Sequence, residues 1–245
     1  MDISLQLYSI KEESKENFEH ALELTEKAGF NGVEFAGYFD NSAEEMSALL
    51  KKYHLKPVST HCGLDRLKTA LDVELEYAKA LGYKLIVCPG IGCDSKEQII
   101  RDAGILEACA KKAANDNIVI GYHNHAHEYA KFDGVFALDI LFENAPTVQF
   151  EPDLFWIAVA GVDPVEYVKP FAKAGRVCAV HAKELAKEGR ENVYIGEGKI
   201  DFRAIAGICS PLTIPYIIEQ EEYSGDHFDG ISKSYNGLRK IFDAL

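Results

Sequence analysis

The sequence holds no long apolar run. Its longest unbroken stretch, Phe155 to Val162, falls far short of the roughly 20 residues that a bilayer-spanning helix needs. Nor does it open on a basic leader: MDISLQLYSI passes directly into a strand-like segment, which argues against a secretory signal and makes a cytoplasmic location the default expectation. Closely paired cysteines are missing too. The six cysteines, at 62, 88, 93, 109, 178 and 209, follow no disulfide-framework spacing and read as reduced thiols. Cys88 and Cys93 are the nearest pair, but four residues separate them and no second pair follows, so small apolar fillers are a better reading than a zinc site. Basic charge is in short supply, and a net charge of −13 without any basic cluster argues against a nucleic-acid partner. A phosphate loop of the GxxxxGK[ST] type is also absent, and Gly196-Glu197-Gly198 is too short to serve as one. A small polar substrate is compatible with all of these absences.

What is present is an ordinary globular composition, 47% hydrophobic and 27% charged, in a chain of 245 residues, near the usual size of one α/β barrel. No linker divides it, so a single domain over 1–245 is expected. Eight apolar segments have strand character: Ile3–Tyr8, Gly32–Phe35, Pro57–His61, Lys84–Pro89, Ile118–Asn124, Val148–Asp153, Val177–Lys183 and Tyr216–Gln220. Between them, Asn17–Ala28, Ala43–Tyr53, Leu67–Leu81, Lys96–Ala114 and Ile231–Phe242 place apolar residues every three or four positions, as helices do. Gly29 and Gly82 read as helix stops, and Asp163-Pro164 and Gly198–Asp201 as starts of later helices. The fifth and sixth units leave room only for short helices. Alternating strand and helix implies a mostly parallel sheet, and eight strands in this length fit a closed (β/α)8 TIM barrel better than an open doubly wound sheet.

Parallel strands covered on both faces should be apolar throughout, yet these turn polar at their C-terminal ends: Gln6 and Tyr8, Glu34, His61, His123 and His125, Glu151 and Asp153, His181 and Lys183, Glu219 and Glu221. In a barrel that end builds the active site. Residues two apart on a strand point the same way, so Glu151 with Asp153, His181 with Lys183 and Glu219 with Glu221 can converge on one volume. So many acids packed together would raise one another's pKa, and a divalent cation removes that cost. Mixed carboxylate and imidazole ligands without a thiolate suit manganese, zinc, cobalt or iron, with magnesium a further candidate. Such a metal would hold a substrate carbonyl and neighbouring hydroxyl and stabilise an enediolate, while a base moves the proton next to the carbonyl.

GYHNHAHEY, from Gly121 to Tyr129, carries three alternating histidines, His123, His125 and His127, with Glu128 three residues after His125. We read the segment as part of the site. Lys183 is a candidate for an oxyanion or hydroxyl contact, or else an ion-pair partner of Glu151 or Glu221. His61 either touches substrate or buttresses the third strand, and Trp156 and Phe155 either wall the pocket or pack in the core.

GYHNHAHEY, EPDLFWIAVAGVDP, GRVCAVHAKE, GEGKIDF and YIIEQEEY, in that order, together with QLYS at Gln6–Ser9, resemble the xylose isomerase-like TIM-barrel superfamily, and more narrowly its sugar phosphate isomerase/epimerase branch. That branch includes inosose dehydratases, hydroxypyruvate isomerases and tagatose 3-epimerases. The resemblance implies one divalent metal held by Asp153 on the sixth strand, His181 on the seventh and Glu219 on the eighth, with a fifth-strand glutamate. Where many relatives read Glu-Asn-His this chain reads His123-Asn124-His125; Glu128 is the expected fifth-strand ligand, because HNHxxE recurs in part of the branch, and His123 is the alternative. Glu219, Glu128, His123 and Lys183 are then the catalytic candidates, and His61, His125, Lys183, Trp156 and Glu197 the substrate contacts.

The implied activity is isomerisation or epimerisation of a sugar or sugar phosphate in carbohydrate metabolism. The alternative is a metal-dependent lyase or dehydratase acting on a keto-sugar or inosose. A phosphodiester hydrolase resembling endonuclease IV is disfavoured by the acidic balance, and a barrel that only binds sugar by the full set of ligands. Barrels of this kind suggest a homo-oligomer, with no nucleic acid or membrane as partner.

Overall fold

The computed structural model describes residues 1–245, and its frame is a barrel of eight parallel strands. These are β1 (Ile3–Gln6), β2 (Gly32–Phe35), β3 (Lys56–His61), β4 (Leu85–Cys88), β5 (Val119–His123), β6 (Gln149–Glu151), β7 (Val180–Ala182) and β8 (Tyr216–Ile218). Seven strand pairs run in sequence around the ring from β6 back to β1 and on through β8 to β7. The ring closes between β6 and β7 through the bridges Phe150 to Val177 and Asp153 to His181, with Cys178 N–H donating to the Phe150 carbonyl. Closure excludes the open doubly wound alternative. All eight segments expected from the sequence are strands; β2 matches at both ends, β3 ends as expected at His61 but starts one residue earlier, and the other six are shorter by a residue or more at the C-terminal end.

Local chemistry sets the helix boundaries. The helix Ala43–Lys52 begins at a reciprocal cap, in which Ser42 accepts from Glu45 N–H and the Glu45 carboxylate accepts from Ser42 N–H. Pro164–Lys173 starts on Asp163 with proline in its first turn, where no N–H partner is lost. Gly82 ends Leu64–Leu81 in the left-handed conformation at φ 90°, which glycine adopts without a Cβ clash. The fifth unit carries a short helix, Ala137–Asn144, whereas the sixth carries two, Leu154–Val159 and then Pro164–Lys173. No helix is long and apolar enough to cross a membrane.

The main apolar core fills the layer between sheet and helices, while a separate group of Leu85, Val87, Ala179 and Ile217 plugs the barrel interior. Above that plug the interior turns polar. A register shift between β2 and β3 at Val33 and Glu34 places Ser59 opposite Glu34, and this bulge re-aims the end of β3 so that Ser59 and His61 both reach Glu34. The last helix, His227–Phe242, lies so close to the loop that follows β7 that a Cβ on Gly237 would run into the Ile195 carbonyl. Gly237→Ala is therefore expected to destabilise the fold by about 1–2 kcal/mol, because overpacking outweighs the better helix propensity of alanine. A lowered urea midpoint with an unchanged slope is the expected readout.

Candidate metal centre

Glu34 is the hub of the polar interior. One carboxylate oxygen accepts from Gln6 Nε2 at 2.7 Å and from His181 Nε2 at 2.7 Å, with His61 Nε2 at 3.1 Å, and the other accepts from Ser59 Oγ at 2.6 Å. Burial opposes ionisation of this side chain, but the His61 and His181 charges outweigh it and hold the carboxyl well below the usual range. Glu151 is the second anchor. Its Oε2 lies 2.9 Å from His61 Nε2, 3.3 Å from His181 Nε2 and 3.5 Å from His123 Nδ1. Burial and the neighbouring Glu34 push the Glu151 carboxyl up. His61, although desolvation pulls it down, is raised to about 10 by these two acids.

Two groups of four could hold a metal ion: His61, His123, Glu151 and His181, or His123, Asp153, His181 and Glu219. Distances separate them. In the first group the 2.9 and 3.3 Å contacts are those of hydrogen bonds or close ion pairs. In the second, Asp153 Oδ2 stands 4.0 Å from His123 Nε2 and 3.9 Å from His181 Nδ1, and Glu219 Oε2 stands 3.7 Å from His181 Nδ1. These gaps are too long for hydrogen bonds and a few tenths of an ångström wider than the roughly 3.4 Å between tetrahedral ligands at bonds of about 2.1 Å, so a shared cation would draw the four atoms slightly together. Asp153 Oδ2 and His181 Nδ1 are moreover buried without a hydrogen-bond partner. The donor set fits a divalent ion, and the two outer acids take the place usual for carboxylates behind metal-binding imidazoles: Glu34 receives the His181 Nε2 proton, and Glu151 lies behind His123 Nδ1.

The other candidates fall around this quartet. Asp153 Oδ1 caps the helix Leu154–Val159 through Trp156 N–H, and burial pushes its carboxyl up to about 7. Lys183 lies 3.4 Å from Glu219 and pairs with Glu221 rather than Glu151; burial works against its charge, but the Glu219, Asp153 and Glu221 carboxylates keep it protonated. In return, although Glu219 is buried, Lys183 and His181 hold it far below the usual carboxylate range. The Lys183 ammonium also sits 5.0 Å from the Phe155 ring and 4.9 Å from the Trp156 ring. Phe155 is core, whereas Trp156 lines a cavity of about 840 Å3 at the barrel mouth together with His61, His123, His125 and Glu219. His125 is kept neutral by burial, its pKa down at about 4, and its Nδ1 has no partner.

Two expected residues lie elsewhere. Glu128 is buried, but its carboxylate accepts from Tyr122 Oη at 2.7 Å and from His125 N–H at 2.8 Å, and it belongs to neither group of four. Tyr122 alternates with His123 along β5 and so points to the opposite face, and the short turn His127–Tyr129 carries Glu128 to that side. His123 stands where Glu128 was expected. Glu197 is exposed in a loop and does not line the mouth cavity. That loop is fixed instead by buried Glu184, which accepts from the backbone N–H groups of Gly196 and Ile200. Glu34, Gln6 and Ser59, which organise the site, had been visible only as polar strand residues or not at all.

The mouth-end cluster and the closed barrel invite comparison with known proteins. No curated protein matches the chain in sequence. Among solved structures, a sugar phosphate isomerase/epimerase from Parabacteroides distasonis ATCC 8503 superposes with a TM-score of 0.84 at 20% identity over 98% of this chain and 94% of that one. IOLI protein with a bound zinc atom gives 0.79 at 18% identity over 100% and 99%. The probable 3-DHS dehydratase AsbF from Bacillus anthracis gives 0.76 at 15% over 98% and 99%. The profile of the xylose isomerase-like TIM barrel family matches residues 22–240, and the chain belongs to that family.

Proposed function

We propose that this chain is a divalent-metal-dependent isomerase or epimerase of a sugar or sugar-like hydroxycarbonyl compound, moving a proton at the carbon next to the carbonyl. The observation that carries the reading is the spacing of His123 Nε2, Asp153 Oδ2, His181 Nδ1 and Glu219 Oε2, 3.7–4.0 Å between neighbours, with His123 and Glu219 lining the mouth cavity. A cation held there would polarise the substrate oxygens and make the neighbouring carbon acidic.

The chain's own groups supply the rest. Glu219, ionised beside Lys183, is placed to accept the proton. Neutral His125, with its unpartnered Nδ1, is placed to take or return a proton from another side. Glu128 positions His125 by accepting its backbone N–H. Trp156 and His125, with ring centroids 5.5 Å apart, form one wall against which the substrate is oriented. The likeness to a sugar phosphate isomerase/epimerase, and to a zinc-containing protein, supports the same reading.

The likeness to a probable 3-DHS dehydratase favours one second reading, a lyase that begins with the same proton removal and then expels a β-leaving group. Protein stripped of metal and tested with manganese or cobalt on a panel of ketoses in heavy water decides between them. The expected result is metal-dependent deuterium uptake with product mass otherwise conserved. Loss of water from the product would establish the lyase, and uptake undiminished in the absence of metal would overturn both.

A further inference from the structure

The mouth cavity is larger than the metal centre requires. At about 840 Å3 it falls in the upper part of the roughly 300–1,000 Å3 range of small-molecule sites, and a single sugar ring against the quartet leaves its outer part empty. That outer part is built from the loop after β2 and from the helix Leu64–Leu81. Tyr38 and Tyr77 stack there with ring centroids 4.1 Å apart and planes within 5°. The loop runs through Phe39 and Asp40 in the left-handed region, at φ 49° and 61°, a conformation that non-glycine residues hold only when their surroundings impose it. Those surroundings are present: Asn41 Nδ2 donates to the Tyr38 and Phe39 carbonyls, and Tyr77 Oη donates to the Asn41 carbonyl.

Two large apolar side chains lie open in the same cleft, Val73 at 47% and Tyr8 at 42% exposure. The helix breaks its regular path at Ala70, and Arg66 reaches back across that kink to Glu74 at 2.5 Å. Arg66 is the one lysine or arginine lining the cavity, and this ion pair occupies it. An anionic group placed in the outer part would instead meet Asp40, Glu74 and Glu221. Aromatic faces, exposed aliphatic surface and neutralised charge are the features that bind the apolar face of an uncharged ring.

We infer that the outer cleft receives a second, uncharged ring joined to the sugar at the quartet, so that the natural substrate is a glycoside whose reacting sugar keeps a carbonyl, as a ring ketone or as the reducing end of a disaccharide, and not a single free or phosphorylated sugar. The inference rests on the proposed function, which places the reacting sugar at the inner end.

Calorimetry and saturation-transfer NMR with methyl glucoside, cellobiose and nitrophenyl glucoside, used as binding analogues and not as substrates, test it on the intact protein. The expected result is at least tenfold tighter binding of cellobiose, nitrophenyl glucoside or both than of methyl glucoside, with the strongest transfer to the second ring. Which of the two prevails identifies that ring as sugar or aromatic. Val73→Asp, at an exposed position, and Tyr77→Ala should each reduce the preference to near one, while Tyr77→Phe, which keeps the ring, should retain it. Equal binding of all three compounds, or a preference untouched by Val73→Asp, overturns the inference. Failure of manganese to bind would strike at the metal-centre reading instead, and a calorimetric metal titration of the same sample separates the two outcomes.

Discussion

Manganese binding is expected to fall by more than about 100-fold in His123→Gln and to survive in Glu128→Gln. Removing a carboxylate that only supports a metal-binding imidazole costs roughly 10–100-fold, so removing a ligand itself should cost more. His123 has its Nε2 4.0 Å from Asp153 Oδ2 and belongs to both groups of four. Glu128 is turned to the outer face of β5, where Tyr122 Oη holds it at 2.7 Å. The change to glutamine keeps the volume and an acceptor oxygen for Tyr122, so the fold should persist. Calorimetric titration of metal-stripped protein gives both numbers, and the opposite pattern, with Glu128 essential and His123 dispensable, would move the site to the other side of the strand.

Loss of Glu34 should be the most damaging single change to stability near the site. Its carboxylate is the common acceptor for Gln6, Ser59, His61 and His181, and all four donors are contributed by other strands. Glu34→Ala leaves the His61 and His181 imidazoles, both raised in pKa by Glu34, without that counter-charge inside the barrel. Breaking a buried pair of this kind costs about 3–5 kcal/mol. At roughly 2–4 °C per kcal/mol for a chain of this size, Tm should drop by about 10 °C. Glu34→Gln should lie between the two, since it preserves shape but not charge. A Tm within about 2 °C of wild type for Glu34→Ala would show that the network contributes little to folding.

The barrel was legible because its signals are local and periodic. Most strands are short apolar runs, each long helix repeats at three and four, and Gly29 and Gly82 sit at helix ends with φ of 101° and 90°. The convergence of Asp153, His181 and Glu219 was legible for the same reason, since strand alternation and barrel order bring three polar ends together. Glu128 was misplaced because its direction depends on a three-residue turn after β5, and the spacing HNHxxE does not reveal which face that turn selects. Glu34 was noticed only as one polar strand end. Its importance comes from partners 25 to 147 residues away, and from a bulge between β2 and β3 that no local pattern encodes. Glu197 illustrates the reverse error: the GEGKIDF motif is locally distinctive, yet its fixed element is a loop tied to Glu184, with the Glu197 side chain exposed.

Anomalous diffraction from a crystal grown with manganese measures the metal centre directly. A single peak about 2.0–2.3 Å from His123 Nε2, Asp153 Oδ2, His181 Nδ1 and Glu219 Oε2 is the expected result. A peak on Glu128, or no peak between those four atoms at saturating manganese, would contradict it.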